Sequence, residues 1–140
     1  MILQVNHINL INDNTGDYLL RDISFGLKKG EVLGLLGSSG SGKSLLCRTI
    51  LQLLAKNLSF TGEIDFYHGN KKIDLTLQKN QKSVRGKRIS LMFQDVFASL
   101  NPLLTVHTHL KQIMHHKLIN KILFDVGFKD PTQIYKNHPH

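Results

Sequence analysis

Residues 37–44 read Gly37-Ser38-Ser39-Gly40-Ser41-Gly42-Lys43-Ser44, a complete G-x-x-x-x-G-K-[ST] phosphate-binding loop. Glycines let the backbone turn tightly, so that consecutive N–H groups face one point. The lysine adds a positive charge for the outer phosphates, and the hydroxyl of the following serine can join the shell of a Mg²⁺ ion. The positive end of the next helix helps to hold the anion.

The sequence on both sides of this loop supports the motif. Residues 31–36 form a short apolar run that predicts a buried strand. After the loop, apolar side chains recur at helical spacing on one face, at Leu46, Thr49, Ile50, Leu53 and Leu54. A strand, a glycine loop and a helix in this order is the arrangement that the motif requires. A glycine-rich turn or linker is the alternative, and the context disfavours it.

Composition indicates a globular domain. The chain has 140 residues, of which 41% are apolar and 20% charged, which does not indicate disorder. It carries one cysteine, Cys47, so no disulfide can form within the chain, and we expect a small buried apolar side chain there. No N-terminal signal pattern and no apolar run of about 20 residues is present, which predicts a soluble chain.

The formal net charge is +8, and residues 71–72 and 79–88 hold much of it. A basic, soluble surface, contact with nucleic acid and attraction to an acidic membrane face are the three interpretations. No basic patch is interleaved with aromatic residues, and tryptophan is absent, so nothing supports nucleic-acid binding.

Periodicity places further elements along the chain. Alternating or apolar runs predict strands at residues 2–10, 18–27, 60–67, 73–77 and 89–93. Polar clusters predict turns at residues 12–17 and 68–70 and a loop or short helix at 80–87. From residue 103 onward the spacing is helical, and Pro131 is expected to open a last short helix at its first turn.

Several stretches together reduce the number of protein families to which the chain could belong. They are Leu27-Lys28-Lys29-Gly30-Glu31 after two strands, the phosphate-binding loop, Thr61-Gly62-Glu63-Ile64, Met92-Phe93-Gln94-Asp95 and Ser99-Leu100-Asn101-Pro102-Leu103. With them the chain resembles the ATP-binding subunit of an ABC transporter, in the peptide and nickel importer branch. Three stretches look most like nickel-import ATPases: Ser44-Leu45-Leu46-Cys47, Asn101-Pro102-Leu103 and Val106-His107-Thr108-His109.

The resemblance implies an α/β fold with a P-loop NTPase core, an N-terminal antiparallel β-subdomain and the start of a helical subdomain. It places the β-subdomain and core at residues 1–94 and the Q-loop with a partial helical subdomain at 95–140. It implies ATP and Mg²⁺ as cofactors, with nucleotide contacts at Gly37, Ser38, Ser39, Gly40, Ser41, Gly42, Lys43, Ser44 and Leu45. Lys43 and Gln94 would be the catalytic residues, and Ser44 and Gln94 the Mg²⁺ ligands.

The resemblance also implies partners and a location. Two ATP-binding subunits would close over two ATP molecules and drive membrane subunits, on the inner face of the cell membrane, with no nucleic acid involved. Coupling of ATP hydrolysis to the uptake of nickel or peptides would be the function. An amide at Gln94 suits a metal-side role, because it presents oxygen to a cation without adding charge.

Two departures from the family pattern stand out. The loop between the first two strands has no aromatic side chain to stack on adenine, and Tyr18 is the nearest candidate. The chain reaches His140 without the signature, the Walker B acid with its glutamate, or the switch histidine. We therefore expect the 140-residue chain to be an N-terminal part that does not hydrolyse ATP. The alternatives are a non-hydrolysing nucleotide-binding remnant and another P-loop NTPase or kinase.

Eight histidines raise the possibility of a metal site. His107 and His109 are two residues apart, and His115 and His116 are adjacent. No two histidines have the i, i+4 spacing that chelates from a helix, and no cysteine or carboxylate cluster accompanies them. The pattern favours solvated or packed histidines.

Overall fold

The computed structural model describes residues 1–139, and only the backbone at residues 98, 116 and 117. The described strands are β1 (Leu3–Asn12), β2 (Tyr18–Leu27), β3 (Leu58–His68) and β4 (Lys71–Asp74). The described α-helices are α1 (Lys43–Ile50), α2 (Gln78–Val84), α3 (Val106–Ile113), α4 (His116–Asp125) and α5 (Pro131–Ile134). The chain divides into two compact units, Met1–Leu91 and the remainder from Met92. The division between subdomains after residue 94 stays a prediction.

The first unit is built on one antiparallel sheet with the strand order β2-β1-β3-β4. Leu3 of β1 lies opposite Leu27 of β2 on one side and Phe66 of β3 on the other. The predicted antiparallel β-subdomain is therefore confirmed, and so are the turns at residues 12–17 and 68–70. The stretch at 80–87, expected as a loop or short helix, contains most of α2.

Bulges in β1 and β2 explain an irregularity in their apolar pattern. In β1 the apolar residues occupy odd positions up to Val5 and even positions from Ile8, while β2 switches after Leu20. The pairing register shifts at these places, and His7 (φ 51°) and Asp22 (φ 47°) adopt left-handed backbone. A side-chain period of two would otherwise turn half of each apolar set toward solvent. The bulges thus keep both halves on the core face.

Gly62 of β3 lies opposite the β1 bulge. Its φ is 109°, and a Cβ there would come within 2.6 Å of the carbonyl oxygens of Asn6 and His7. Only glycine allows the two backbones to approach this closely. The Thr-Gly-Glu-Ile stretch seen in the sequence therefore includes a position that fixes how β1 and β3 pair.

The core of the first unit lies between the sheet and α1. Its buried apolar residues are Val5, Ile8, Leu10, Leu20, Leu46, Ile50, Ile64, Phe66, Leu75 and Val84. From α1, Leu46, Thr49 and Ile50 are buried, and the Thr49 hydroxyl donates to the carbonyl of Leu45. The helix ends at Ile50, so the expected extension to Leu53 and Leu54 is wrong. Cys47 is half-buried rather than fully buried.

Two predicted strands are absent from the part of the chain that the structure describes. Residues 31–36 carry no strand and are exposed, with Val32 93% and Leu36 97% accessible. Residues 89–93 carry only an isolated bridge between Arg85 and Ile89. A parallel strand in the middle of a sheet needs neighbouring strands, and neither stretch pairs with a strand among the described residues. The prediction of a buried strand at 31–36 is therefore wrong for this structure.

The second unit is helical from Val106 onward, as the spacing indicated. Thr105 accepts a hydrogen bond from the Thr108 N–H at the start of α3, and Ile119 and Leu123 of α4 are buried. Pro131 opens α5 as predicted, after Asp130. The Thr132 hydroxyl and N–H donate to the Asp130 carboxylate, which lowers the pKa of that group. Among the described residues no metal-binding group of three or more His, Cys, Asp or Glu side chains occurs.

Candidate functional site

Lys43 organises the phosphate-binding loop from within. Its ammonium donates to the carbonyl oxygens of Gly37 at 2.8 Å and Ser38 at 2.6 Å, and to the Ser41 hydroxyl at 3.2 Å. The Ser41 N–H also donates to the Ser38 carbonyl. One side chain at the start of α1 therefore holds both the beginning and the middle of the loop, so the ammonium lies at its centre.

The N-terminus of α1 can receive an anion. Its N-cap is Gly42, with φ 90°, and no side chain caps the helix. The first N–H groups of a helix have no acceptor inside the helix. Those of Lys43, Ser44 and Leu45 therefore need a partner from outside α1, and they belong to the positive end of the helix dipole. This arrangement suits the phosphates of a nucleotide.

The antiparallel sheet positions this helix end. A Cβ at Gly42 would lie 2.7 Å from Cδ2 of Leu20 and 3.5 Å from the carbonyl oxygen of Leu19. Gly42 thus lies directly on β2, in a left-handed conformation that a side chain would strain. Sequence reasoning identified Gly42 as part of the loop but missed its contact with β2, because the motif does not show which strand the loop lies against.

The loop residues lie in the first unit, and Gln94 belongs to the second. Lys43 and Ser44 open α1, and the Ser44 side chain is exposed. Gln94 lies in the second unit, in an exposed irregular stretch before the 3₁₀ turn Phe97–Ser99. A serine hydroxyl and an amide oxygen are both suitable oxygen donors for Mg²⁺. The shared metal role of Ser44 and Gln94 stays a prediction.

Tyr18, the nearest aromatic candidate for adenine stacking, is the first residue of β2 and is partly exposed. The guanidinium carbon of Arg21 lies 4.9 Å from the centre of its ring. One face of the ring therefore makes a cation–π contact within the same strand. The role of Tyr18 toward adenine stays a prediction.

Comparison with protein families shows which family the chain belongs to. The family model described as ABC transporter matches residues 20–139, which is most of the chain. The chain belongs to the ABC transporter family. Membership in the ABC family confirms the resemblance, which rested on the loop, Gln94 and the Ser-Leu-Asn-Pro stretch. It also removes the alternative of an unrelated P-loop NTPase or kinase.

Named relatives are ATP-binding proteins of one import system and of two peptide transport systems. The chain is 33% identical to the metal-staphylopine import system ATP-binding protein CntD of Staphylococcus aureus, over 99% of this chain and 54% of CntD. It is 32% identical to the dipeptide transport ATP-binding protein DppD of Lactococcus lactis, over 99% of this chain and 43% of DppD. It is 42% identical to the oligopeptide transport ATP-binding protein AppF of Bacillus subtilis, over 74% of this chain and 30% of AppF.

The 140-residue chain spans about half, or less, of the length of these relatives. Along the residues that the structure describes, every helix is too short or too polar to cross a bilayer.

Proposed function

We propose that this chain is the ATP-binding part of an ABC importer and that residues 37–44 bind the phosphates of MgATP. The observation that carries the proposal is the geometry around Lys43. Its ammonium is held within the loop by Gly37, Ser38 and Ser41, and the helix that begins at Lys43 has no side-chain cap at its N-terminus. A positive charge and free N–H groups that converge on one place are what a polyphosphate requires.

The first residues of α1 and Gln94 have distinct roles in this proposal. Lys43 supplies charge to the outer phosphates, and the first N–H groups of α1, from Lys43 to Leu45, donate to phosphate oxygens. The hydroxyl of Ser44 is the metal ligand in the loop, and Gln94 is the second metal-side residue. A bound Mg²⁺ would neutralise charge on the phosphates.

We propose nickel or peptides as the cargo of the whole transporter, and membrane subunits and a second ATP-binding subunit as its partners. Support comes from the relatives, which are named as a metal-staphylopine import protein, a dipeptide transport protein and an oligopeptide transport protein. The place of action would be the cytoplasmic face of the cell membrane. Nickel in particular rests on the local resemblance of residues 44–47, 101–103 and 106–109.

Titration of the purified chain with a fluorescent ATP analogue in the presence of Mg²⁺ tests nucleotide binding. Lys43→Ala removes a charge-assisted contact and is expected to weaken the affinity by about tenfold or more. Lys29→Ala is the matched control, because Lys29 is exposed and lies outside the loop. Equal affinities of Lys43→Ala and the unchanged chain would refute the proposed site.

Hydrolysis is a separate question. The 140 residues hold a phosphate cradle but no Asp-Glu run after an apolar strand, and phosphoryl transfer depends on several positioned groups acting together. We therefore propose that this polypeptide binds ATP without sustained turnover. Steady release of phosphate that is lost in Lys43→Ala would contradict this part of the proposal and leave the binding site intact.

A further inference from the structure

Most of the excess positive charge of the chain lies in one short segment. Residues 68–88, here called the cationic segment, include β4 and α2 and contain seven Lys and Arg residues against one carboxylate, Asp74. This leaves +6 within the segment, out of +8 for the whole chain. A charge this concentrated is unfavourable for folding through its self-repulsion, unless a partner compensates it.

The carboxylates near the cationic segment compensate only part of its charge. Asp74 accepts hydrogen bonds from the N–H and the hydroxyl of Thr76, at 2.8 and 2.6 Å. Asp65, buried in the neighbouring β3, forms an ion pair with Lys72 at 2.7 Å. Within the part of the chain that the structure describes, the exposed Lys71, Lys79, Lys82 and Lys87 have no ion-pair partner.

The helix in this segment shows one charged and one buried face. Gln81 and Val84 of α2 are fully buried, whereas Lys79 and Lys82 are exposed. Residues three apart lie on the same face of a helix, so the two lysines project from α2 together. The N-cap residue Leu77 adds an apolar side chain that is 44% accessible.

Hydrogen bonds, of which the two donated by Gln81 are buried, fix the cationic segment to the core. The Gln81 amide donates to the carbonyls of Ile50 at 3.2 Å and Leu75 at 2.6 Å. Arg85 donates to the Gln81 amide oxygen and, at 3.0 Å, to the carbonyl of Gln52 just beyond α1. At the ends of the segment, the Arg88 guanidinium lies 2.9 Å from the ring nitrogens of His68. The lysines are therefore presented by an ordered scaffold rather than by a disordered tail.

From this arrangement we propose that the cationic segment docks on an anionic lipid bilayer. Each lysine near a bilayer of acidic lipids contributes a favourable electrostatic energy to binding. The exposed Leu77, which lies between the lysines in sequence, can enter the interfacial region of the bilayer. Nucleic acid is disfavoured as the occupant, because the segment has no Phe, Tyr or Trp on which bases could stack. With seven residues, α2 is also short for a helix that would insert into the major groove of DNA.

Sedimentation with vesicles tests this surface. The full chain is mixed, without nucleotide, with vesicles of three parts phosphatidylcholine to one part phosphatidylglycerol, and with vesicles of phosphatidylcholine alone. Binding is expected to the mixed vesicles only and to weaken as salt is raised. The double substitution Lys79→Gln and Lys82→Gln is expected to lower the partition coefficient by about tenfold or more. Because no nucleotide is present, failure here does not bear on the proposed ATP site.

A charge-matched control separates the segment from net charge. Lys28→Gln with Lys29→Gln removes the same charge just beyond β2, at the opposite edge of the sheet from β4, and is expected to leave vesicle binding nearly unchanged. Equal losses in both double variants would overturn the proposal, as would equal binding to neutral vesicles.

Leu77→Ser separates a bilayer from a soluble polyanion. Serine is a good N-cap residue, so α2 keeps a favourable start while the apolar contact is lost. Vesicle binding is expected to fall by roughly threefold to tenfold, with the salt dependence unchanged. Unaltered vesicle binding by Leu77→Ser, or tighter binding of the unchanged chain to single-stranded RNA than to mixed vesicles, would overturn the proposal in favour of a soluble polyanion.

Discussion

Two apolar regions of the first unit differ in burial: the strands β1 and β3 on one side, and residues 31–36 on the other. In β1 and β3, Val5, Ile8, Leu10 and Ile64 are fully buried. In residues 31–36, Val32 and Leu36 are almost fully accessible, although the run has a higher share of apolar residues than either strand. Hydrophobicity alone therefore does not explain the difference between the two regions.

The difference lies in where the backbone partners come from. β1 pairs with β2 in a hairpin whose turn lies at residues 12–17, and β3 pairs with β4 in a hairpin whose turn lies at residues 68–70. Antiparallel pairs of this kind close with local connections, whereas a parallel strand needs a neighbour that arrives through a long crossover. Residues 31–36 have no such neighbouring strand among the described residues, and they are exposed to solvent.

Hydrogen exchange offers the largest contrast between these regions. The amides of β1 and β3 are expected to exchange at least about a thousandfold more slowly than those of residues 31–36, because only the former open with most of the unit. Exchange measured by NMR or by mass spectrometry after proteolysis would show this. Comparable protection in both regions would mean that residues 31–36 are paired in solution.

Truncation of one side chain in each region sharpens the comparison energetically. Ile64→Ala is expected to lower the free energy of unfolding by about 2–5 kcal/mol, because it leaves a cavity in a packed core. Leu36→Ala is expected to change it by less than about 0.5 kcal/mol, as at other exposed positions. Urea denaturation gives both values. A large loss in Leu36→Ala would show that its side chain is buried in solution.

Glycine substitution tests whether the pairing of β1 with β3 is fixed by close backbone approach. Gly62→Ala would place a Cβ within 2.6 Å of two carbonyl oxygens and is expected to lower the free energy of unfolding by roughly 1–3 kcal/mol. Gly69→Ala is the control, because Gly69 also has positive φ (59°) but no atom within 4 Å of the added Cβ. If the two variants lose the same stability, strain in φ rather than contact is the cause.

The smallest expected effect concerns the Lys72–Asp65 ion pair at the β4 edge. The hydrogen bond to Asp65 raises the pKa of Lys72 above its usual value of 10.5. A raised lysine pKa stabilises the fold below pH 10.5, and this contribution is lost as the pH rises through the folded-state pKa. The stability difference between the unchanged chain and Lys72→Gln should therefore shrink from pH 7 to strongly alkaline pH. Lys71→Gln, at an unpaired lysine, should show no such change.

The sequence predicted those parts of the fold and site that depend on local patterns. Alternation placed β2 at its observed bounds, and the motif at 37–44 placed the loop at the start of α1. Polar turn residues predicted both hairpin turns, because their side chains favour those backbone conformations.

Contacts between residues that are distant in sequence could not be predicted from local patterns. The apolar pattern of residues 31–36 does not indicate whether neighbouring strands are present to pair with them. The contact of Gly42 with Leu20 and the hydrogen bonds of Gln81 to Ile50 and Leu75 join residues that are distant in sequence. A buried glutamine in a polar stretch gives no periodic signal, because its burial depends on carbonyls supplied by other elements.

The hydrogen bonds of Gln81 and Arg85 have a consequence for the electric field of α1. They place donors, one of them a full positive charge, at the carbonyl end of a helix whose amide end carries no cap. The negative pole of the helix is thereby compensated, while its positive pole stays exposed at the phosphate-binding loop. Residues more than 35 positions away in sequence thus increase the positive potential at the loop without touching any anion there.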